Sequence, residues 1–397
     1  MANANFSAER GAECYMRAMI YADYNATAPV RPEAKAAILA ALDVGANPSS
    51  VHAPGRAARK LLEVARGQVS MAIGARAQDI VFTSGGTEAN ALALNGIVAQ
   101  LEGKCTLLIS AIEHEAVTKN AGYAGVPVET AYVTAHGTLD LDWLRDRLAR
   151  WDEGRDGTPI LALMLANNET GVIQPLAEAA ALVREAGGLT HCDAVQGLGK
   201  VMVNVGLLGV DYLALSAHKV GGPQGVGALW VRSGAPLKPV LFGGGQERSL
   251  RSGTENLSGI VGFGAATEAA IRDLPKLQAL AAQRDAMEAR LMSEANITVF
   301  GKDTERLAQT SNFAIPGFRA ETQVMAMDLG GVAISSGSAC SSGKVKRSLV
   351  LAAMGASDDL AESAIRVSFG WGTQLSDFEA TADAWLEAAR RTVLRSA

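Results

Sequence analysis

The chain has 397 residues, 48% of them hydrophobic and 19% charged, with a formal net charge of −5. This length and balance suit a soluble globular protein of two or three domains. They exclude the basic footprint that a nucleic-acid or anionic-membrane partner requires, and no apolar run approaches the roughly 18 to 20 residues of a membrane helix.

In chain order, the first 19 residues carry Glu9, Arg10, Glu13 and Arg17 and lack an apolar core, so they read as a flexible extension rather than a signal peptide. From about residue 57 the pattern alternates helix and strand. Arg56 to Ile73 is helical, Asp79 to Thr83 is a short β-branched run, and a turn at Ser84-Gly85-Gly86 opens a helix from Thr87 to about Ala99. Strands follow at residues 106–110, 129–133, 160–165, 189–193 and 212–216, with one more over 225–232. Apolar strands alternating with helices predict an α/β fold with a mostly parallel central sheet. After Gly243-Gly244-Gly245 the texture changes: one long helix from about Gly262 to Leu291, then short strands at 298–300, 310–313, 333–335 and 365–368. The expected organisation is a large domain over 24–262 and a smaller α+β domain over 263–397, joined by residues near 20–23.

Four segments carry chemistry. Ser216-Ala217-His218-Lys219 sets a lysine directly after an apolar strand and before Gly221-Gly222-Pro223. That placement suits a desolvated amine that bonds a carbonyl or a pyridoxal phosphate (PLP) aldehyde, although a lysine snorkelling from a strand end looks the same. His191-Cys192-Asp193-Ala194-Val195-Gln196 ends another strand, where open α/β sheets bind ligands. Asp193 suits a pyridine nitrogen and Gln196 a phenolic oxygen; a helix-capping aspartate is the plainer reading. At Gly86-Thr87 a strand-to-helix turn offers free N–H groups and a hydroxyl to a phosphate, without the lysine of a P-loop.

The fourth segment is Ser335-Ser336-Gly337-Ser338-Ala339-Cys340-Ser341-Ser342-Gly343, small residues flanking a single thiol and followed by Lys344, Lys346 and Arg347. Accessible thiols beside cations are the reactive ones, whereas Cys14, Cys105 and Cys192 read as inert. The four cysteines are too few and too scattered for a disulfide framework, and no Cys-x-x-Cys pair offers a metal site. A reducing, cytoplasmic setting follows. His114 lies past a strand end, Asn168 ends the next one, and Arg366 sits inside an apolar strand where its fork suits a carboxylate or a buried ion pair.

Together these segments resemble the NifS/IscS-type cysteine desulfurases, fold-type I PLP-dependent enzymes of the class-V aminotransferase kind. The resemblance begins at Tyr21-Ala22-Asp23-Tyr24-Asn25-Ala26-Thr27 and runs to about Gly372, through Asn47-Pro48-Ser49-Ser50-Val51-His52, Asn167-Asn168-Glu169 and Arg251-Ser252-Gly253-Thr254-Glu255-Asn256. It implies PLP as cofactor, held by Lys219, His114, Asp193, Gln196, Asn168, Gly86, Thr87, Ser216 and His218, with Thr254 reaching the cofactor of a homodimer partner. It further implies L-cysteine as substrate, its carboxylate on Arg366 and also contacted by Asn168. Lys219 and His114 would move protons, and Cys340 would take the sulfur as a persulfide and release L-alanine. A sulfur-acceptor protein, such as an iron–sulfur scaffold, is the implied partner.

The basic stretch Lys344-Val345-Lys346-Arg347 and Val220-Gly221-Gly222 depart from that pattern and leave the acceptor open. Rival readings are another fold-type I enzyme, a selenocysteine lyase or an aminotransferase, and a sulfur carrier or assembly scaffold without cofactor. Cys340 separates the first group, and a coloured cofactor separates the second.

Overall fold

The computed structural model describes residues 19–336 and 347–393. Cys14, the remainder of the N-terminal extension, Cys340 and its loop up to Lys346 lie outside the described residues.

Thirteen strands are present among the described residues. They are β1 (Ile20–Tyr21), β2 (Ile80–Thr83), β3 (Cys105–Ser110), β4 (Val128–Ala131), β5 (Thr158–Ala162), β6 (Leu189–Asp193), β7 (Tyr212–Ser216), β8 (Gly227–Val231), β9 (Thr298–Val299), β10 (Thr310–Ala314), β11 (Val332–Ala333), β12 (Ser335–Ser336) and β13 (Ile365–Ser368). A seven-stranded sheet runs in the order β2-β8-β7-β6-β5-β3-β4. It is parallel except for β8, which pairs antiparallel to both β2 and β7. Its central strands are buried on both faces, which is why they read as continuous apolar runs rather than alternating ones. Helices Ala53–Ala72, Gly86–Gln100 and Leu176–Glu185 cover it.

The second layer system is an antiparallel sheet, β12-β13-β10-β9, and a parallel pair, β1 with β11. Its own apolar cluster is built around Phe313, Phe318, Phe369, Phe378 and Trp385. A further cluster joins Ile112 and Met164 of the first region to Phe300, Ala314, Val350 and Leu351 of the second.

Three expectations are corrected. The long helix of residues 262–291 is two helices, Leu257–Gln278 and Ala281–Ala295. Asn256 caps the first through the Gly259 N–H, so it starts earlier than expected. Pro275 removes one rung near its end, and Leu277 and Leu280 turn into the second core while Phe263, Ala266 and Ala270 remain in the first. The strand at 333–335 is divided: β11 pairs with β1 and β12 with β13. The strand at 160–165 is assigned only to Ala162, although Leu163 and Leu165 still donate to His191 O and Asp193 O.

Candidate active site

A cavity of about 870 Å³ opens beyond the carboxyl ends of the parallel strands. Such crevices are where open α/β sheets place ligands. It gathers Gly86, Thr87, His114, Asn168, Asp193, Gln196, Ser216, His218, Lys219 and Arg366 from segments up to 280 residues apart. Thr254 is exposed and does not line this cavity.

One wall is the end of β6. Asp193 accepts from Asn90 Nδ2 at 2.7 Å and from the Val195 N–H at 3.0 Å. Asn90 is itself fixed, because its Oδ1 lies 2.7 Å from His191 Nε2. Since Asn90 gives its N–H to the carboxylate, its oxygen must accept, so His191 carries its proton on Nε2. Burial pulls the His191 pKa down to about 3, keeping that ring neutral. The chain His191 to Asn90 to Asp193 therefore aims a carboxylate into the cavity.

Beside it stands Glu113. Its Oε1 accepts from the Met164 N–H at 2.5 Å, and its Oε2 is buried with no partner among the described residues. Burial, and then the nearby Asp193, push the Glu113 carboxyl well above its usual range.

Lys219 follows β7 in a short 3₁₀ turn, Ala217–Lys219. Its Nζ donates to Asn25 O at 2.7 Å and Ala26 O at 2.8 Å. Burial, then the Arg366 guanidinium, lower its pKa to about 8, against the partial opposition of Asp23 and Asp193. A lysine so placed has a substantial neutral, nucleophilic fraction near neutral pH. Next to it, His218 bonds Thr27 Oγ1 through Nδ1 at 3.1 Å, and burial brings its pKa to about 4.

The helix Gly86–Gln100 presents its N-terminus to the cavity with no side-chain cap. A methyl at Gly86 would meet Val195 Cγ2 at 2.7 Å, so only glycine lets this turn lie against the β6 end. The His114 ring instead caps its own helix, Glu115–Tyr123, with Nδ1 accepting from the Ala116 N–H at 3.0 Å. That leaves its Nε2–H available to a ligand.

The floor is built from the far end of the chain. Arg366 on β13 donates to Asp23 Oδ1 at 2.6 Å and Asn168 O at 3.0 Å, and its Nε is buried with no partner among the described residues. A half-satisfied guanidinium in a cavity wall suits a small carboxylate. Glu169 lies beneath, accepting from Ser348 Oγ at 2.6 Å, with burial raising its pKa.

Comparison with known proteins decides the family. The class-V aminotransferase family matches residues 20–380. The chain belongs to that family. Within it the chain falls with the cysteine desulfurases. It is 40% identical over 369 residues to a cysteine desulfurase of Bradyrhizobium diazoefficiens, covering 91% of this chain and 92% of that protein. It is 38% identical over 378 residues to the cysteine desulfurase IscS of Dictyoglomus turgidum, covering 93% and 94%. A solved NifS-like protein from Rickettsia africae matches with a TM-score of 0.85 at 34% identity, over 93% of this chain and 99% of that one.

The fold is that of the fold-type I PLP-dependent enzymes, and PLP is the cofactor of the family. The residues present fit it. They supply an amine lowered by burial, a carboxylate held in one orientation, an uncapped helix N-terminus against a glycine whose Cβ would clash, and a guanidinium with a spare donor.

Sequence reasoning assigned no role to Asn90, Glu113, His191, Lys200 or Glu169. Asn90 and Glu113 sit inside motifs already singled out for Thr87 and His114, and a polar residue on a buried stretch was the available signal. Lys200 gave a weaker one, four residues after Gln196 in a turn.

Proposed function

We propose that this chain is a cysteine desulfurase, converting L-cysteine to L-alanine and taking the sulfur onto Cys340 as a persulfide. The observation that carries the reading is the Lys219 amine, its pKa lowered to about 8 chiefly by burial, set in one cavity with Asp193 and Arg366. Bound PLP withdraws electrons from the substrate Cα and so acidifies its proton.

The chain's own residues do the rest. Asp193, held by Asn90 and the Val195 N–H, would set its carboxylate opposite the cofactor's ring nitrogen. Gln196 would face the phenolic oxygen, while Gly86, Thr87, Ser216 and His218 would receive the phosphate. Arg366 takes the substrate carboxylate, with Asn168 beside it, and Lys219 Nζ removes and returns the Cα proton. His114 would stack on the cofactor, with its Nε2–H available for proton transfer. The Cys340 thiolate attacks the substrate sulfur: an S–S bond forms, the Cβ–S bond breaks, and Cβ is protonated on the way to alanine. That persulfide is a reversible thiol state suited to onward transfer.

Thr254, exposed outside the cavity, reaches the cofactor of a second copy in a homodimer. An iron–sulfur scaffold or similar protein in the cytoplasm receives the sulfur. Among the described residues no helix is long and apolar enough to cross a membrane. The chain is organised as a large domain over 24–262 and a small one over 263–397 with residues 20–23, and the helix Leu257–Gln278 contributes to both cores.

Two variants test the reading. Lys219→Ala is expected to abolish both the yellow absorbance of the purified protein and alanine formation. Cys340→Ala is expected to keep the absorbance and lose persulfide. Sulfide release from cysteine at the wild-type rate in Cys340→Ala would favour a selenocysteine lyase or related enzyme, and transamination with a keto acid would favour an aminotransferase.

A further inference from the structure

Lys200 is a second lysine, buried behind the cavity against Asn25 and Gln196 and four residues beyond Gln196. Its Nζ donates to Asn25 Oδ1 at 3.0 Å and also to Gln196 Oε1. Both acceptors are amide oxygens, which can only accept, so the Lys200 amine donates to each. Each amide is thereby locked against a flip. With its oxygen on Lys200, Asn25 turns Nδ2 toward Thr310 Oγ1 at 3.0 Å and Asn168 O at 3.3 Å. With its oxygen on Lys200, Gln196 turns Nε2 toward Asn25 O at 2.9 Å. That same carbonyl receives Lys219 Nζ at 2.7 Å. An amide nitrogen carries two hydrogens, so Gln196 keeps a second N–H for a ligand in the cavity it lines.

We propose that Lys200 is a positioning residue of this site, holding the oxygens of Gln196 and Asn25 so that a Gln196 N–H faces the cofactor and the Asn25 carbonyl seats the Lys219 amine. The inference rests on the reading of the cavity as a PLP site. Without Lys200 the Gln196 amide keeps only its Nε2 bond to Asn25 O as an anchor, so its second N–H is no longer held toward the cofactor's phenolic oxygen. A donor there competes for that oxygen with the protonated nitrogen of the Lys219 linkage. Losing the donor strengthens the hold on that proton and moves the titration upward.

The experiment is an absorbance titration of the purified holoenzyme against pH, with cofactor dissociation measured by dialysis. The charged groups facing Lys219 are Arg366, Asp23 and Asp193, with Lys200 and His218 adjacent. All but Lys200 are left intact in the variant. Lys200→Met is expected to raise the titration midpoint by about one pH unit and to weaken cofactor retention about tenfold. The expected kinetic signature is a fall in kcat with little change in KM for cysteine.

A folded Lys200→Met with wild-type midpoint and retention overturns the proposal. If that variant does not fold, Lys200→Arg is read instead. Its longer fork keeps donors but displaces both amide oxygens, and a smaller upward shift supports the proposal while an unchanged midpoint overturns it. Failure of the parent reading is distinct: wild-type protein would then show no cofactor band and no loss of one in Lys219→Ala.

Discussion

The wall and the floor of the site are made in opposite ways. The wall, Asp193 with Asn90 and His191, stands at the end of one strand and leans on a helix about a hundred residues away, all within a single sheet-and-helix core. The floor, Arg366 with Asp23 and Asn25 with Ser368, is tied by bonds spanning 343 residues and joining separate sheets. The wall fixes an electrostatic direction in a rigid core, while the floor depends on how two layer systems meet. Substitutions in the wall should therefore strike the chemical step, and substitutions in the floor should strike substrate capture.

The sharpest break is Asp193→Asn. Removing the carboxylate leaves Asn90 Nδ2 facing another amide, and kcat should fall by about 10²–10³-fold, the scale for removing one preorganised group that stabilises developing charge. Steady-state alanine formation measures it, and a loss confined to KM would contradict the assignment of Asp193 to the wall. Arg366→Ala comes next. Charge-assisted hydrogen bonds contribute about 1.5–3 kcal/mol, so KM for cysteine should rise about 10–100-fold with a smaller change in kcat. An unchanged KM would leave Arg366 as a purely structural partner of Asp23.

The smallest effect is a pH dependence set by wall and floor together. The Lys219 pKa is lowered in the folded protein to about 8, so the neutral amine accumulates as pH rises through that value. Cofactor capture by apoprotein should then quicken about tenfold between pH 7 and pH 9, instead of climbing toward the ordinary lysine value near 10.4. In Arg366→Ala that midpoint should move upward, because the guanidinium is one of the causes of the lowering. Stopped-flow absorbance after mixing apoprotein with PLP measures both.

The wall was largely legible in the sequence because its parts are local. Asp193 and Lys219 each follow an apolar strand, β6 and β7 match the expected spans of 189–193 and 212–216, and Gly86-Thr87 marks a strand-to-helix turn. Periodicity and turn chemistry act over a few residues, and that is the range such a reading covers. The floor was legible only through family resemblance. Nothing near Arg366 in sequence announces Asp23, and the division of 332–336 between two sheets is decided by partners elsewhere in the chain. The break after Gln278 also escaped, since Ala-rich sequence continues through it and the change of core beneath Leu277 and Leu280 decides the matter.

The bond between Asp23 and Arg366 has a consequence for the order in which the protein is made. During synthesis Asp23, Asn25 and the β1 strand emerge early, yet their partners Arg366, Ser368 and β11 follow more than 300 residues later. Every strand of the seven-stranded sheet has been synthesised by Val231 and the helix that completes its core by Gln278, so that core can close while the first described residues still wait. A nascent or truncated chain ending before Ile365 would own the wall and lack the floor, carrying the lysine and the aspartate but no guanidinium to receive a substrate.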